Sequence, residues 1–224
     1  MKENGKRTWL IGTGLLLVFA LWTVLIQIID VQPAGPKETC VGFAAFNGWF
    51  HQLTGVHMTL YMITDWLGLV PIGVCLGFAV LGLIQLIRRK SLLKVDPDIL
   101  LLGIFYILVI FGYLFFEMVV INYRPILIDG FLEASYPSST TLLVLSVMLT
   151  LIFQIDRRCK NAIVRNTSVI LTILFAVFMV IGRLIAGVHW ATDIIGSILL
   201  SFGLFKLYQA AVIGTAKRKN HGIQ

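Results

Sequence analysis

The sequence predicts an all-α fold, a polytopic membrane helix bundle with six transmembrane helices, built as a single integral domain over residues 1–224. Three observations predict it. Hydrophobic residues make up 58% of the chain and charged residues 13%, with a mean hydropathy of +0.91, more apolar than the core of a soluble protein of this length requires. The apolar residues gather into six runs, each long enough to cross a hydrocarbon layer about 30 Å thick. The basic residues sit in short clusters between those runs, where membrane topology accounts for them. The net charge of +7 therefore does not imply a nucleic-acid partner. Cys40, Cys75 and Cys159 fall in three separate segments with no metal-ligand spacing, so neither a disulfide framework nor a metal cluster is expected.

Each span follows from its own residues. Lys2, Lys6 and Arg7 precede the run from Trp9 to Ile29, which is too long for the apolar region of a cleaved leader and lacks a cleavage site after it. It is expected to stay as the first span. Val31 to Pro36 is a turn-rich exit. From Val41 to Met58, Phe43, Phe46, Trp49, Phe50 and Leu53 alternate with Asn47, His51, Gln52 and His57, either as an amphipathic segment at the interface or as a loop packed on the bundle. Trp66 to Ile87 is the second span, with Gly73 and Gly77 in a small-xxx-small pattern of close helix packing. Arg88, Arg89, Lys90 and Lys94 close it. Asp96-Pro97 then starts the third span, Pro97 at the first helical position and Asp96 as the cap. That span ends before Arg124-Pro125, because proline disfavours helix at the residue ahead of it. A loop turning at Asp129-Gly130 leads to Pro137-Ser138, which opens the fourth span. The fifth runs from Thr167 to about Ala186 and the sixth from Trp190 to Val212.

Six spans put every basic residue on one side except Lys37, Arg124 and Arg183. The positive-inside rule makes that side cytoplasmic and holds both termini there, in a cell membrane. Arg124, Ser138, Arg183 and His189 then meet on the outer side, at the ends of four different spans. Ionisable groups at membrane depth are costly and default to a functional reading. His189 and Asp193 are four apart, one turn on one helix face, so the carboxylate is expected to accept the Nδ1 proton and leave Nε2 as a free lone pair. Arg183 fits this grouping if the chain breaks at Gly187. Arginine matches phosphoryl oxygens with paired donors, and a helix N-terminus at Pro137-Ser138 binds anions. Ser138 either caps that helix or donates to a phosphoryl oxygen. The set reads as phosphoryl transfer through a phosphohistidine, with no metal and no cofactor. A metal site at His51, His57 and His189 is disfavoured, because the spacing of His51 and His57 fits no helix face well.

Arg124-Pro125, Pro137-Ser138 and Arg183-x5-His189-x3-Asp193 resemble the three-part signature of the type 2 phosphatidic acid phosphatase (PAP2) and vanadium haloperoxidase superfamily, over about residues 60–210. The resemblance implies a PAP2-like bundle, His189 as nucleophile, Asp193 as its orienter, and Arg124, Arg183 and Ser138 as ligands of the phosphoryl oxygens. Three positions depart from the pattern. Glu117 replaces a lysine, Gly182 replaces a serine, and Pro137-Ser138-Ser139-Thr140 replaces Pro-Ser-Gly-His. Thr140 thus stands where the resembling enzymes carry the acid that protonates the leaving group. A positioned acid contributes about 10²–10⁴-fold, and a leaving phosphate needs it less than a leaving alkoxide. The expected substrate is a lipid phosphate, and best a prenyl pyrophosphate such as undecaprenyl pyrophosphate. Glu117 is read either as a replacement acid, protonated through burial, or as an ion-pair partner of Arg124 or Arg183. The alternative function is a non-catalytic protein that binds or moves a lipid phosphate in the same pocket. The lipid's identity and the oligomeric state are not encoded in any motif.

Overall fold

The structure is a computed structural model that describes residues 4–221, with side chains described to residue 216. Lys2 lies outside the described residues, as do the side chains of Lys217, Arg218 and Lys219. The chain is helical: α1 (Gly5–Ile28), α2 (Ala44–Thr54), α3 (Met58–Leu67), α4 (Leu69–Arg89), α5 (Pro97–Met118), α6 (Ser139–Arg158), α7 (Ala162–Ile185) and α8 (Ala191–His221). Six segments are long and apolar enough to cross a membrane, α3 and α4 together supplying one of them as Met58–Arg89. The second span therefore begins eight residues earlier than the sequence predicts. Asp65 therefore lies inside it.

α8 is the hub and packs against α1, α5 and α6. Its approach to α1 is set by glycine. A Cβ on Gly12 would come within 3.1 Å of the Gly203 carbonyl, and one on Gly203 within 2.7 Å of Leu16. The small-residue contact thus falls on α1 and α8 and not on Gly73 and Gly77, which have nothing within 4 Å of a would-be Cβ. Large rings fill the core between these helices. Phe19 stacks on Tyr136 with centroids 6.1 Å apart, and Phe105 packs on Tyr208 at 5.5 Å.

The two ends of the bundle are built differently. At the basic end, Asp96 caps α5 by position but not with its side chain. Its carboxylate accepts from Gln85 Nε2 at 2.9 Å and Arg89 Nη1 at 2.7 Å instead, and the Arg89 bond holds it below the ordinary carboxylate range. Asp98 accepts from Arg158 Nη2 at 2.8 Å, tying α5 to α6. At the other end, three connections converge: residues 29–57 with α2, residues 119–138, and residues 186–190. The middle one doubles back through a tight turn at Asp129 and Gly130, both at positive φ, with a bridge between Ile128 and Phe131. α2 is amphipathic, with Phe46, Trp49 and Leu53 exposed and Asn47 buried.

Candidate active site

The site is assembled on the connection between α7 and α8. Gly187 has φ +69°, and a Cβ there would lie 2.0 Å from the Gly55 carbonyl oxygen, so glycine is required both for the turn and for the close approach of the segment ahead of α3. Neighbouring bonds fix the rest of the connection. His57 N donates to Ala186 O at 3.0 Å, His51 Nε2 lies 3.1 Å from Gly187 O, and Trp22 Nε1 donates to Thr192 O at 3.1 Å. Asn47 accepts from Thr192 N at 3.3 Å and donates to Thr192 Oγ1 at 3.0 Å.

His189 lies two residues ahead of α8 rather than on its first turn, and the residue is 4% exposed. The face it was expected to share with Asp193 is therefore not formed, and no direct hydrogen bond joins the two among the described residues. Nδ1 donates instead to the Ser135 carbonyl at 3.1 Å, with Ser135 Oγ 3.0 Å away. Asp193, in the first turn of α8, accepts from Ser135 Oγ at 2.5 Å, Trp190 N at 2.9 Å and Asn122 Nδ2 at 3.2 Å. Burial, and then the charges of Arg124 and Arg183, push the His189 imidazole well below its ordinary value, so it is neutral near pH 7. Its Nε2 is buried with no hydrogen-bond partner among the described residues.

Both arginines are buried and both are met by carboxylates. Arg124 Nε lies 3.1 Å from Glu133 Oε2, while Nη1 is buried without a hydrogen-bond partner among the described residues. Arg183 Nη2 donates to Asp65 Oδ1 at 3.1 Å and to Thr140 Oγ1, and Nη1 to Tyr61 O and Thr64 Oγ1 at 3.4 Å each. The Tyr61 ring lies under both guanidinium groups, 4.7 Å from Arg183 and 5.9 Å from Arg124. The ion pair expected for Glu117 is accordingly replaced by Glu133 and Asp65. Glu117 is exposed on the surface of α5 and forms no ion pair with either arginine among the described residues.

A polar cavity of about 260 Å³ opens onto His189, Arg124 and Ser135, with Glu117, Glu133 and Ser139 on its wall. Ser138 and Arg183 do not line it. Ser138 is fully buried at the N-terminus of α6, caps no backbone N–H and donates to Thr141 Oγ1 at 3.1 Å. Ser139, one residue on, faces the cavity. Thr140 is turned to Arg183. Sequence reasoning did not single out Ser135, Asn122, Tyr61, Asp65 or Glu133, and Asp65 alone left a signal, as an ionisable residue beside a span.

These features define an integral membrane protein whose helix bundle encloses, at one end, an anion-receptive cavity around a neutral, unpartnered imidazole nitrogen. The chain belongs to the PAP2 superfamily, whose family model matches residues 74–212, and so to a phosphatase-type family. Its fold is shared with the crystal structure of the first transmembrane PAP2-type phosphatidylglycerolphosphate phosphatase from Bacillus subtilis, at a TM-score of 0.64 and 15% identity over 92% of this chain and 96% of that one. No curated protein matches the sequence significantly. The matched range holds Arg124, Ser138, Arg183, His189 and Asp193, while Tyr61 and Asp65 lie before it.

Proposed function

We propose that the protein hydrolyses a lipid phosphate at the outer face of the plasma membrane through a phosphohistidine, without a metal or cofactor, and that prenyl pyrophosphate suits it best. One observation carries the reading: the buried, partnerless Nε2 of a neutral histidine opens onto the same cavity as a buried guanidinium with a free donor. In this reading Nε2 attacks phosphorus while Nδ1 keeps its proton. The P–O bond to the leaving group breaks, and water then attacks the phosphohistidine to release phosphate and restore the lone pair. Arg124 and the N–H groups opening α6 neutralise the phosphoryl oxygens, with Arg183 behind them. The outer-face assignment rests on the distribution of basic residues.

Two features favour a good leaving group on a narrow lipid. The Thr140 hydroxyl is engaged by Arg183, so the position where the resembling enzymes carry their acid supplies none here. An apolar groove of about 230 Å³ between α5 and α6 shares Tyr113 and Ser139 with the polar cavity, which suits a single chain leaving the phosphate. Purified protein is expected to release inorganic phosphate from prenyl pyrophosphate faster than from phosphatidic acid, and His189→Ala to release none. A 32P label trapped on His189 completes the test. Equal turnover of the two lipids would reject the leaving-group argument. Binding of lipid phosphate with no release would instead identify a carrier, a reading favoured by the carboxylates already seated on both arginines.

A further inference from the structure

We infer that Ser135 is the positioning residue that sets the His189 tautomer through its carbonyl and carries the charge of Asp193 to the imidazole through its hydroxyl. This rests on His189 being the nucleophile. A carbonyl oxygen can only accept, so the 3.1 Å contact of Nδ1 with Ser135 O requires the proton on Nδ1 and leaves the lone pair on Nε2. The hydroxyl of the same residue has one hydrogen, and the 2.5 Å contact with Asp193 Oδ2 takes it. Its lone pair then faces Nδ1 at 3.0 Å. Carboxylate, hydroxyl and imidazole form one chain, in which the charge reaches the ring at second hand.

The surroundings fix each member of that chain. Ser135 is buried, and its N donates to Asn122 O at 2.9 Å, while Asn122 Nδ2 holds the other Asp193 oxygen. One short loop thus sets the distance from the carboxylate to the ring. When Nε2 bonds to phosphorus the imidazole becomes a cation that retains its Nδ1 proton. No proton has to move along the chain. The hydroxyl, already polarised by Asp193, stabilises the new charge.

The test compares two anions at one pH. Orthovanadate can expand to five-coordination and bond to the nucleophile, whereas inorganic phosphate binds as a tetrahedral ion. Ser135→Ala is expected to weaken vanadate inhibition about 10–100-fold, by analogy with losing the outer partner of a metal-bound histidine, and to lower kcat alike. Phosphate inhibition and KM should stay within about twofold, because the arginines are untouched. Ser135→Thr, which keeps the hydroxyl, should restore vanadate affinity. Asp193→Asn added to Ser135→Ala should cost less than about threefold more, since the two residues act as one unit. Losses that multiply in the double variant overturn the inference. So does parallel weakening of both anions, an unchanged vanadate constant in Ser135→Ala, or wild-type protein that binds vanadate no tighter than phosphate. Release of no phosphate from any lipid would reject the phosphatase reading, while the vanadate–phosphate contrast, read as direct binding of the two anions by titration calorimetry, would still decide the role of Ser135.

Discussion

Replacing Asn47 with alanine removes the clamp that holds the His189 connection to α2. Asn47 is buried, and its amide makes three hydrogen bonds: to Gly42 O at 2.8 Å, to Thr192 Oγ1 at 3.0 Å, and from Thr192 N at 3.3 Å. Thr192 is fully buried, so water cannot easily replace these partners. At about 1 kcal/mol for each bond, and up to about 3 for a buried group left unsatisfied, the expected loss is roughly 3–5 kcal/mol. Denaturant unfolding of the detergent-solubilised protein measures it. Gln52→Ala, on the exposed face of the same helix, is the control and should stay within about 0.5 kcal/mol. Turnover should fall in Asn47→Ala even well below its unfolding midpoint, because Thr192 lies between His189 and Asp193. A loss smaller than about 1 kcal/mol would refute the reasoning, since it would mean that the connection holds its shape without α2.

Three further outcomes are expected. Gly187→Ala meets both the left-handed backbone, at roughly 1–2 kcal/mol, and the Gly55 carbonyl, so its thermal midpoint should drop and its anion binding fail together. Because burial and the two arginines hold the His189 imidazole neutral well below its ordinary value, 15N NMR of its ring should show no titration step near pH 6.5, whereas a step there would mean an exposed ring. The fold binds fewer protons at that ring than the unfolded chain does. Its stability is therefore full above the unfolded pKa and falls below it, by about 1.4 kcal/mol per pH unit, a slope that His189→Ala should remove. Asp65→Asn should tighten inhibition by inorganic phosphate, up to about fivefold for an ion pair worth at most about 1 kcal/mol. The Asp65 side chain is 59% exposed against 2% for Arg183, so the carboxylate is the partner able to move aside. Weaker inhibition would show that Asp65 holds the arginine in place instead.

The spans, and the residues that interrupt them, were legible because a charge among apolar side chains stands out without any knowledge of its neighbours. Arg124, Arg183 and His189 were found that way, and all three are buried at one end of the bundle. What surrounds them was not legible, because it comes from pairings between segments distant along the chain. Ser135 meets His189 across 54 positions, and Asn47 meets Thr192 across 145. A serine in a loop carries no periodicity that would announce such a partner. The second span was placed too late for a definite reason: Asp65 sits inside it, and Arg183 neutralises that carboxylate there. The spacing of His189 and Asp193 misled because a helical period was applied to residues that only half belong to a helix.

The pairing of α1 with α8 has a consequence for biogenesis. These are the first and last of the six described crossings, yet they form the most extensive helix pair among the described residues, and Trp22 on α1 braces the backbone at Thr192. A nascent chain must therefore leave α1 standing in lipid, its glycine-lined flank uncovered, until the last crossing is inserted. Until then the wall beside the imidazole is absent, so competence arrives in one step when α8 joins α1.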